Sequence, residues 1–217
     1  MFEFLIPFFL LVLFFLVLSI IWRINARKYI SSGTVASAYD AWTQDKLLER
    51  LWGEHIHLGF YPLGKKNIDF RKAKVQFVHE LVNWSGLDKL PKGSRILDVG
   101  CGIGGSSRIL AEYYGFNVTG ITISPAQVKR ARELTPSGLN CSFQVMDALD
   151  LKFEDGSFDA VWSVEAGAHM NDKTKFADEM LRTLRPGGYL ALADWNSRDL
   201  RTYPPSFFEK LVLKQLL

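Results

Sequence analysis

The sequence has little cysteine, little surplus charge, and no charged residue at all over the 19 positions from Phe4 to Trp22. Its two cysteines, Cys101 and Cys141, lack the spacing of metal ligands, so we expect free thiols and no metal site. The net charge is +3, and the first 30 residues contribute +2 of it, from three basic residues and one acidic one. The remaining +1 gives no electrostatic case for nucleic-acid binding.

The uncharged run near the N-terminus predicts a membrane anchor over residues 1–22. As a helix, 19 residues span roughly 28 Å, which is close to the hydrocarbon thickness of a bilayer. A secretory signal has a basic start, a shorter apolar stretch and a small-residue cleavage site, and none of the three is clear here. A cleaved signal and an interfacial helix are therefore the weaker alternatives. Because Arg23, Arg27 and Lys28 follow the run, we expect the rest of the chain on the cytoplasmic side of the membrane.

Residues 23–90 are rich in aromatic side chains and form the predicted cap of the molecule. We expect a short helix near 36–51, an irregular loop, and a second helix over 71–84. The apolar side chains of the second helix fall on one face: Val75, Val78, Leu81 and Val82.

Residues 91–200 alternate between strand and helix patterns. Five short apolar segments are predicted strands: 95–99, 117–121, 141–145, 158–164 and 189–193. The last predicted helix is capped by Asp172 and stopped by residues 185–188, and its inward side chains are Phe176, Met180, Leu181 and Leu184. This order predicts an α/β fold with a parallel sheet between helices, which binds ligands at the carboxyl ends of its strands.

The segment DVGCGIGG at 98–105 follows the first predicted strand and opens a helix. Glycines there allow the backbone to approach a ligand, and the helix N-terminus offers free N–H groups. Gly100, Gly102 and Gly105 also satisfy the dinucleotide fingerprint, so the glycines alone do not distinguish a nicotinamide enzyme from a methyltransferase. Asp98 favours the second, because a carboxylate repels a pyrophosphate and attracts an ammonium group. Asp147, after the third strand, can accept a hydrogen bond from an adenine amino group.

Four longer segments carry a resemblance to a known family. They are WGEHIHLG at 52–59, LDVGCGIGGSSR at 97–108, GITISP at 120–125 and WSVEAGAHM at 162–170. Together with residues 184–192, the chain resembles the class I S-adenosylmethionine-dependent methyltransferases, which have a Rossmann-like sheet with flanking helices. Within that class it resembles the branch that methylates prenylquinols and tocopherols.

The resemblance implies S-adenosylmethionine as the cofactor, with Asp98, Gly100 and Gly102 on its methionine part and Asp147 on its adenine. The remaining residues expected around the cofactor are Cys101, Gly104, Thr122, Ser124 and Ala148. Many members of the class end the second strand with an acidic residue that binds ribose. Thr122 and Ser124 occupy that region here, which leaves the ribose contact open and also weakens the nicotinamide alternative.

The expected reaction is C-methylation of a lipid-like prenylbenzoquinol, carrying a phytyl or solanesyl tail. Glu165 and His169 follow the fourth strand and are the first candidates for a base. His55 and His57 are the second candidates, and a metal-binding role for this pair lacks a third ligand. The resemblance also implies further strands after residues 201–217, so we expect the final strands to be missing. A weakly active cofactor-binding remnant and an enzyme acting on tocopherol or another lipid are the alternatives.

Overall fold

A computed structural model of the chain describes residues 11–17, 32–65, 67–196 and 202–209. Its centre is a parallel sheet of five strands in the order β3-β2-β1-β4-β5. The strands are β1 (Arg95–Val99), β2 (Asn117–Thr122), β3 (Cys141–Val145), β4 (Phe158–Val164) and β5 (Leu184–Ala193). The predicted α/β, Rossmann-like sheet is thereby confirmed.

In the described part of the chain, six α-helices accompany the sheet, besides the helical residues at 11–17 and 207–209. They are α1 (Ser32–Gln44), α2 (Leu47–Trp52), α3 (Phe70–Ser85), α4 (Gly105–Tyr114), α5 (Pro125–Leu134) and α6 (Lys173–Thr183). A short 3-10 helix, Gly167–His169, follows β4. Strand order reverses between β1 and β4, so the carboxyl ends of these two strands form the switch point at which such sheets bind ligands.

Strand β1 is buried on both faces, as a central parallel strand should be. Ile96 faces one core, where it packs with Val78 of α3 and Leu110 of α4. Leu97 faces the opposite core, with Met180 of α6. The alternation of side chains along the strand therefore places Asp98 on the same face as Ile96, towards α4.

Two predictions about the last helix and strand are wrong. Leu181 does not point inward: its side chain is 54% exposed, because it lies about 100° around the helix from buried Met180. The segment 185–188 is not a turn that separates helix from strand. It forms an irregularity inside β5, where Leu184 pairs with Phe158 and Tyr189 already pairs with Ala160.

The predicted helix near 36–51 is in fact two helices, α1 and α2. The chain breaks at Lys46, which has a left-handed φ of 54°. Helix α1 packs against α5, where the Asp40 carboxylate accepts hydrogen bonds from the Ser124 hydroxyl (2.5 Å) and the Ala126 N–H (3.1 Å). Glu49 of α2 forms a two-pronged ion pair with Arg130, with N–O distances of 2.9 and 2.7 Å. These contacts hold the cap against the sheet.

The predicted anchor over residues 1–22 lies outside the described residues except for 11–17, which are helical with exposed side chains. Within the described parts of the chain, none of the helices has both the length and the hydropathy needed to cross a membrane.

Candidate functional site

A cavity of about 540 Å³ lies at the carboxyl ends of β1, β2 and β4. Its size is that of a site for a small molecule or cofactor. The predicted site residues that line it are His55, His57, Asp98, Gly100, Cys101, Gly102, Thr122, Asp147, Ala148, Glu165 and His169. The cap closes one side of this cavity, and the loop after β1 forms its floor.

The loop after β1 needs glycine for two reasons. Gly100 and Gly102 have φ values of 81° and 55°, which side chains rarely adopt. A Cβ at Gly100 would also come within 2.4 Å of the Ala166 Cβ, at the end of β4. The N–H groups of Gly100 and Cys101 both donate to the carbonyl of Ile121, at 2.9 Å. The loop is therefore fixed between β2 and β4, with its surface turned to the cavity.

Asp98 places a buried carboxylate in the cavity wall. It is 2% exposed, and the Ser107 hydroxyl donates to its Oδ2 at 2.6 Å. Burial raises the pKa of Asp98 to about 7, although the bond from Ser107 opposes that rise. A cation bound in the cavity would stabilise the ionised carboxylate, which fits an ammonium group such as that of the cofactor's methionine part.

Asp147 lies beyond the end of β3, on another wall of the cavity. Its Oδ1 accepts the N–H of Leu149 at 2.9 Å, which fixes the carboxylate in place. Ala148 and Met146 line the cavity beside it. The arrangement leaves Oδ2 for a ligand donor, as an adenine amino group would supply.

Ser124 and Gly104 are not among the residues that line the cavity. The Ser124 hydroxyl caps α5 by accepting from the Gln127 N–H at 3.1 Å, and it donates to Asp40. Gly104 precedes α4 at φ 80°, and a Cβ there would come within 2.6 Å of the Phe143 ring. Both residues have structural roles here, and their predicted contact with the cofactor stays a prediction.

Gln127 lines the cavity, and the sequence analysis did not select it. Its Oε1 accepts from the hydroxyl of Thr122 at 2.7 Å, so its amide NH₂ is the group left for a ligand. Gln127 lies two residues after the GITISP segment, as the third residue of α5. A polar residue at the third position of a helix that begins beside the cofactor loop is the signal that would have found it.

His55 and His57 form a hydrogen-bonded pair whose tautomers follow from their partners. Nδ1 of His57 is 2.7 Å from the carbonyl of Leu58 and must donate to it, since a carbonyl only accepts. Nε2 of His57 is 3.1 Å from Nδ1 of His55. Burial lowers the pKa of both rings, that of His55 to about 3, so both are neutral at pH 7. His55 therefore donates from Nδ1, and its Nε2 carries a lone pair that can accept a proton or a hydrogen bond.

Glu165 and His169 lie after β4, and a tyrosine from the cap joins them. Glu165 has a left-handed φ of 52°, a strained backbone for a residue with a side chain, and its Oε1 accepts the N–H of Leu58 at 3.0 Å. The Tyr39 hydroxyl is 2.8 Å from Nε2 of His169. Burial is the first cause of the raised pKa of Tyr39 and of the lowered pKa of His169. Both rings are thus neutral, and they share one hydrogen bond at the cavity.

Lys74 is a buried cation that organises the cap, and the apolar pattern of α3 did not predict it. Its Nζ donates to the carbonyls of Trp52 (2.9 Å) and His55 (2.8 Å), and it lies 4.5 Å from the centre of the Trp52 ring. Arg108 makes a second link, from the Ile103 carbonyl (2.8 Å) to the Glu54 carboxylate (2.5 Å). These two cations hold the segment that carries the histidines over the cofactor loop.

Comparison with known proteins identifies the family of the chain. Residues 97–192 match the family described as methyltransferase domain. The chain is 60% identical over 200 residues to 2-methyl-6-phytyl-1,4-hydroquinone methyltransferase of Synechocystis sp., covering 91% of this chain and 62% of that protein. It is 43% identical to the chloroplastic tocopherol O-methyltransferase of Arabidopsis thaliana, covering 71% of this chain and 47% of that one.

Solved structures agree on the fold. The crystal structure of the [4+2]-cyclase SpnF superposes with a TM-score of 0.66 at 30% identity, covering 74% of this chain and 58% of that one. This chain thus spans about half to three fifths of the length of the proteins it matches. The resemblance stated from the sequence is confirmed: residues 97–192 are a methyltransferase domain of the S-adenosylmethionine-dependent class, in a chain similar to the prenylquinol and tocopherol methyltransferases.

Proposed function

We propose that this chain transfers the methyl group of S-adenosylmethionine to a ring carbon of a prenylated benzoquinol, such as 2-methyl-6-phytyl- or solanesyl-benzoquinol. The product is a precursor of tocopherol or plastoquinone. One observation carries the proposal: a single cavity has a buried carboxylate, Asp98, in one wall and a neutral hydrogen-bonding group, Tyr39 with His169, in another. The carboxylate of Asp98 suits a cationic cofactor. Tyr39 with His169 suits a methyl acceptor that must lose a proton.

In the half of the cavity proposed to bind the cofactor, different residues would contact different parts of it. Asp98 would hold the ammonium group, Asp147 would accept from the adenine amino group, and the amide of Gln127 would be free to bind a ribose hydroxyl. Gly100 and Gly102 let the backbone approach the methionine part. Bound in this way, the cofactor supplies a methyl group activated by its sulfonium.

The other half of the cavity contains the side chains proposed to accept protons from the substrate. A free phenol has a pKa of about 10, so a positioned acceptor is needed to make the quinol ring nucleophilic at neutral pH. Glu165, His169 and His55 are the proposed acceptors, and His57 fixes the tautomer of His55. As the ring carbon gains the methyl group, the bond from methyl carbon to sulfur breaks. The proton on that ring carbon then leaves to one of these acceptors and on to water.

We also propose that the run from residue 4 to residue 22 holds the chain on the cytoplasmic side of a membrane. Its support is the absence of charge over 19 residues and the basic residues that follow. A prenyl tail is far too apolar to leave a bilayer readily, and a tethered enzyme meets such a substrate at a higher effective concentration. Carbonate extraction of membranes from cells that express the chain tests this, since a peripheral protein is released and an anchored one is retained.

The proposed reaction is tested by labelled methyl transfer from S-adenosylmethionine to 2-methyl-6-phytylbenzoquinol in vesicles, with tocopherols as competing acceptors. We expect label in a C-methylated quinol, and at least a hundredfold less with Glu165→Gln combined with His169→Asn. Transfer only to a tocopherol would reassign the acceptor. Cofactor binding without transfer to any of these lipids would contradict the proposal and leave a cofactor-binding remnant.

A further inference from the structure

Exposed apolar side chains concentrate in one stretch of the cap. Seven large hydrophobic residues between positions 51 and 70 are 37% to 102% exposed: Leu51, Trp52, Leu58, Phe60, Tyr61, Leu63 and Phe70. We call these seven residues the cap patch. Isolated exposed apolar residues are ordinary on a protein surface, whereas a contiguous group marks a surface that binds something.

Two contacts bring parts of the cap patch together at the start of α3. The rings of Trp52 and Phe70 lie 6.0 Å apart, centre to centre. The N–H of Phe60 donates to the carbonyl of Ala73 at 2.9 Å, one helical turn after Phe70 in α3. The loop that carries Tyr61 and Leu63 therefore leaves from the same end of α3 that Trp52 covers.

The charge of the same stretch is strongly biased. Residues 50–72 contain five basic and two acidic residues, a net charge of +3, and the other 194 residues contain 21 of each sign. Residues 50–72 are thus distinctly basic, whereas the rest of the chain is neutral on balance. Arg50, Lys65, Arg71 and Lys72 are exposed, and exposed Glu54 is already paired with Arg108. Exposed aromatic rings among basic side chains are typical of a surface that meets anionic lipid headgroups.

The cap patch also borders the cavity. Leu58 is exposed, yet its backbone N–H donates to the carboxylate of Glu165 in the cavity wall at 3.0 Å. His57, one residue earlier, lines the cavity. An apolar chain that leaves a bilayer beside Leu58 would therefore arrive directly at the proposed proton acceptors.

We propose that the cap patch inserts into the headgroup region of an anionic lipid bilayer and presents the cavity to molecules dissolved in it. The contact with lipid rests on the cap patch alone. The further statement, that a prenylquinol enters the cavity past Leu58, rests on the proposed function. Insertion here is separate from any tether at residues 4–22, because it requires the cap itself to touch the membrane.

The test places an environment-sensitive fluorophore at one exposed position in the full chain. Leu63→Cys puts it at the most exposed residue of the cap patch, and Trp84→Cys puts it at the far end of α3, about 21 Å along the helix from Phe70. Trp84 is 79% exposed, so the two sites are matched in accessibility. Cys101 is buried and Cys141 partly buried, and burial raises the pKa of both thiols, so they react slowly; the unsubstituted chain treated with the same reagent measures their background.

With vesicles of phosphatidylglycerol and phosphatidylcholine, we expect at least a threefold rise in emission and a blue shift at position 63, and no change at position 84. The rise should be much smaller on pure phosphatidylcholine. A label at position 63 that stays in water while the protein is vesicle-bound would overturn the proposal, and so would equal changes at both sites. Emission that rises with protein concentration without vesicles would instead identify a second copy of the chain as the occupant.

The two proposals fail separately. If the label at position 63 inserts into lipid but the protein methylates no quinol, the lipid contact is supported and the proposed function is contradicted. If the protein methylates a quinol but the label at position 63 stays in water, the proposed function is supported and the lipid contact is contradicted. A triple variant, Phe60→Ser with Tyr61→Ser and Leu63→Ser, should lose the anionic-lipid dependence of methylation. It should keep its affinity for S-adenosylmethionine.

Discussion

The hydroxyl of Ser107 donates a hydrogen bond to the buried carboxylate of Asp98 at 2.6 Å. This neutral partner does not offset the burial of the carboxylate, whose pKa rises to about 7. The residue proposed to hold the cofactor is therefore one that destabilises the protein without it. A charge buried in advance of its ligand gives this site both its attraction for an ammonium group and a measurable dependence on pH.

Asp98→Asn should stabilise the cofactor-free protein at pH 8. Between pH 3.8 and about 7, the folded protein keeps a proton on Asp98 that the unfolded chain has lost. The stability from this group is therefore complete below pH 3.8 and is lost as the pH rises through 7. Asparagine cannot ionise, so the variant should be more stable at pH 8 by up to about 4 kcal/mol, at 1.36 kcal/mol per pKa unit. Near pH 4 the difference should almost vanish.

Urea unfolding at pH 4 and pH 8 measures this effect, and Glu112→Gln on the exposed face of α4 is the control. The control should unfold at nearly the same urea concentration as the parent chain at both values. An Asp98→Asn protein that is no more stable than its parent at pH 8 would show that Asp98 is not a strained charge.

Cofactor affinity should follow the same titration. Below pH 7, Asp98 must release its proton before it can pair with the ammonium, so the affinity for S-adenosylmethionine should fall about tenfold per pH unit. Above pH 8 it should fall again, because an α-amino group titrates at about 7.7–8.0. Isothermal titration calorimetry from pH 5.5 to 9 should thus give a maximum near pH 7.5. A flat profile between pH 5.5 and 7.5 would rule out the pairing.

Tyr39→Phe should slow methyl transfer without weakening cofactor binding. The change removes the hydroxyl that fixes Nε2 of His169 at 2.8 Å and leaves the ring in place. We expect kcat to fall at least tenfold, within the range that general acid–base groups contribute. The dissociation constant for S-adenosylmethionine should change less than twofold. Tyr113→Phe is a matched control, because it makes the same change at an exposed tyrosine that does not line the cavity.

The sequence was enough to place the centre of the sheet, because strands β1 and β4 are short, largely apolar runs whose side chains are mostly buried. It was also enough to select Asp98, the fourth residue of β1, and Asp147, two residues after β3, which both line the cavity. The position of Lys74, in contrast, depends on contacts between distant segments. Lys74 lies on a helical face that reads as apolar, and its burial is possible only because the carbonyls of Trp52 and His55 surround it. No local pattern contains that information.

For Ser124, the motif predicts a position near the cofactor, but the hydroxyl has partners within the protein. The motif places it beside the cavity, but the side chain turns to cap α5 and to meet Asp40 of α1. Serine and threonine hydroxyls often satisfy nearby backbone groups in this way. The residue that does face the cavity, Gln127, is three positions further on.

Ser124→Ala and Gln127→Ala should therefore separate stability from binding. Loss of the Ser124 cap should lower the free energy of unfolding by about 1 kcal/mol, with little change in cofactor affinity. Gln127→Ala removes the amide that faces the cavity and should weaken S-adenosylmethionine binding about tenfold. Thermal unfolding and calorimetry on both variants make the comparison. A Ser124→Ala protein that folds normally but loses the cofactor would show that Ser124 contacts the cofactor, as the sequence predicted.

Lys74→Met should loosen the cap while leaving the sheet intact. The substitution keeps most of the side-chain volume but strands the carbonyls of Trp52 and His55, and a buried unsatisfied polar group costs about 1–3 kcal/mol. One of these hydrogen bonds holds the backbone of His55. When the cap loosens, we therefore expect kcat to fall and the pH dependence of kcat to change. Hydrogen exchange should show faster opening of residues 52–58 and unchanged protection in β1 and β4. Equal loss of protection in the cap and in the sheet would mean that Lys74 supports the whole fold. Rescue of activity by Lys74→Arg, which keeps the charge and the donors, would separate lost hydrogen bonds from lost packing.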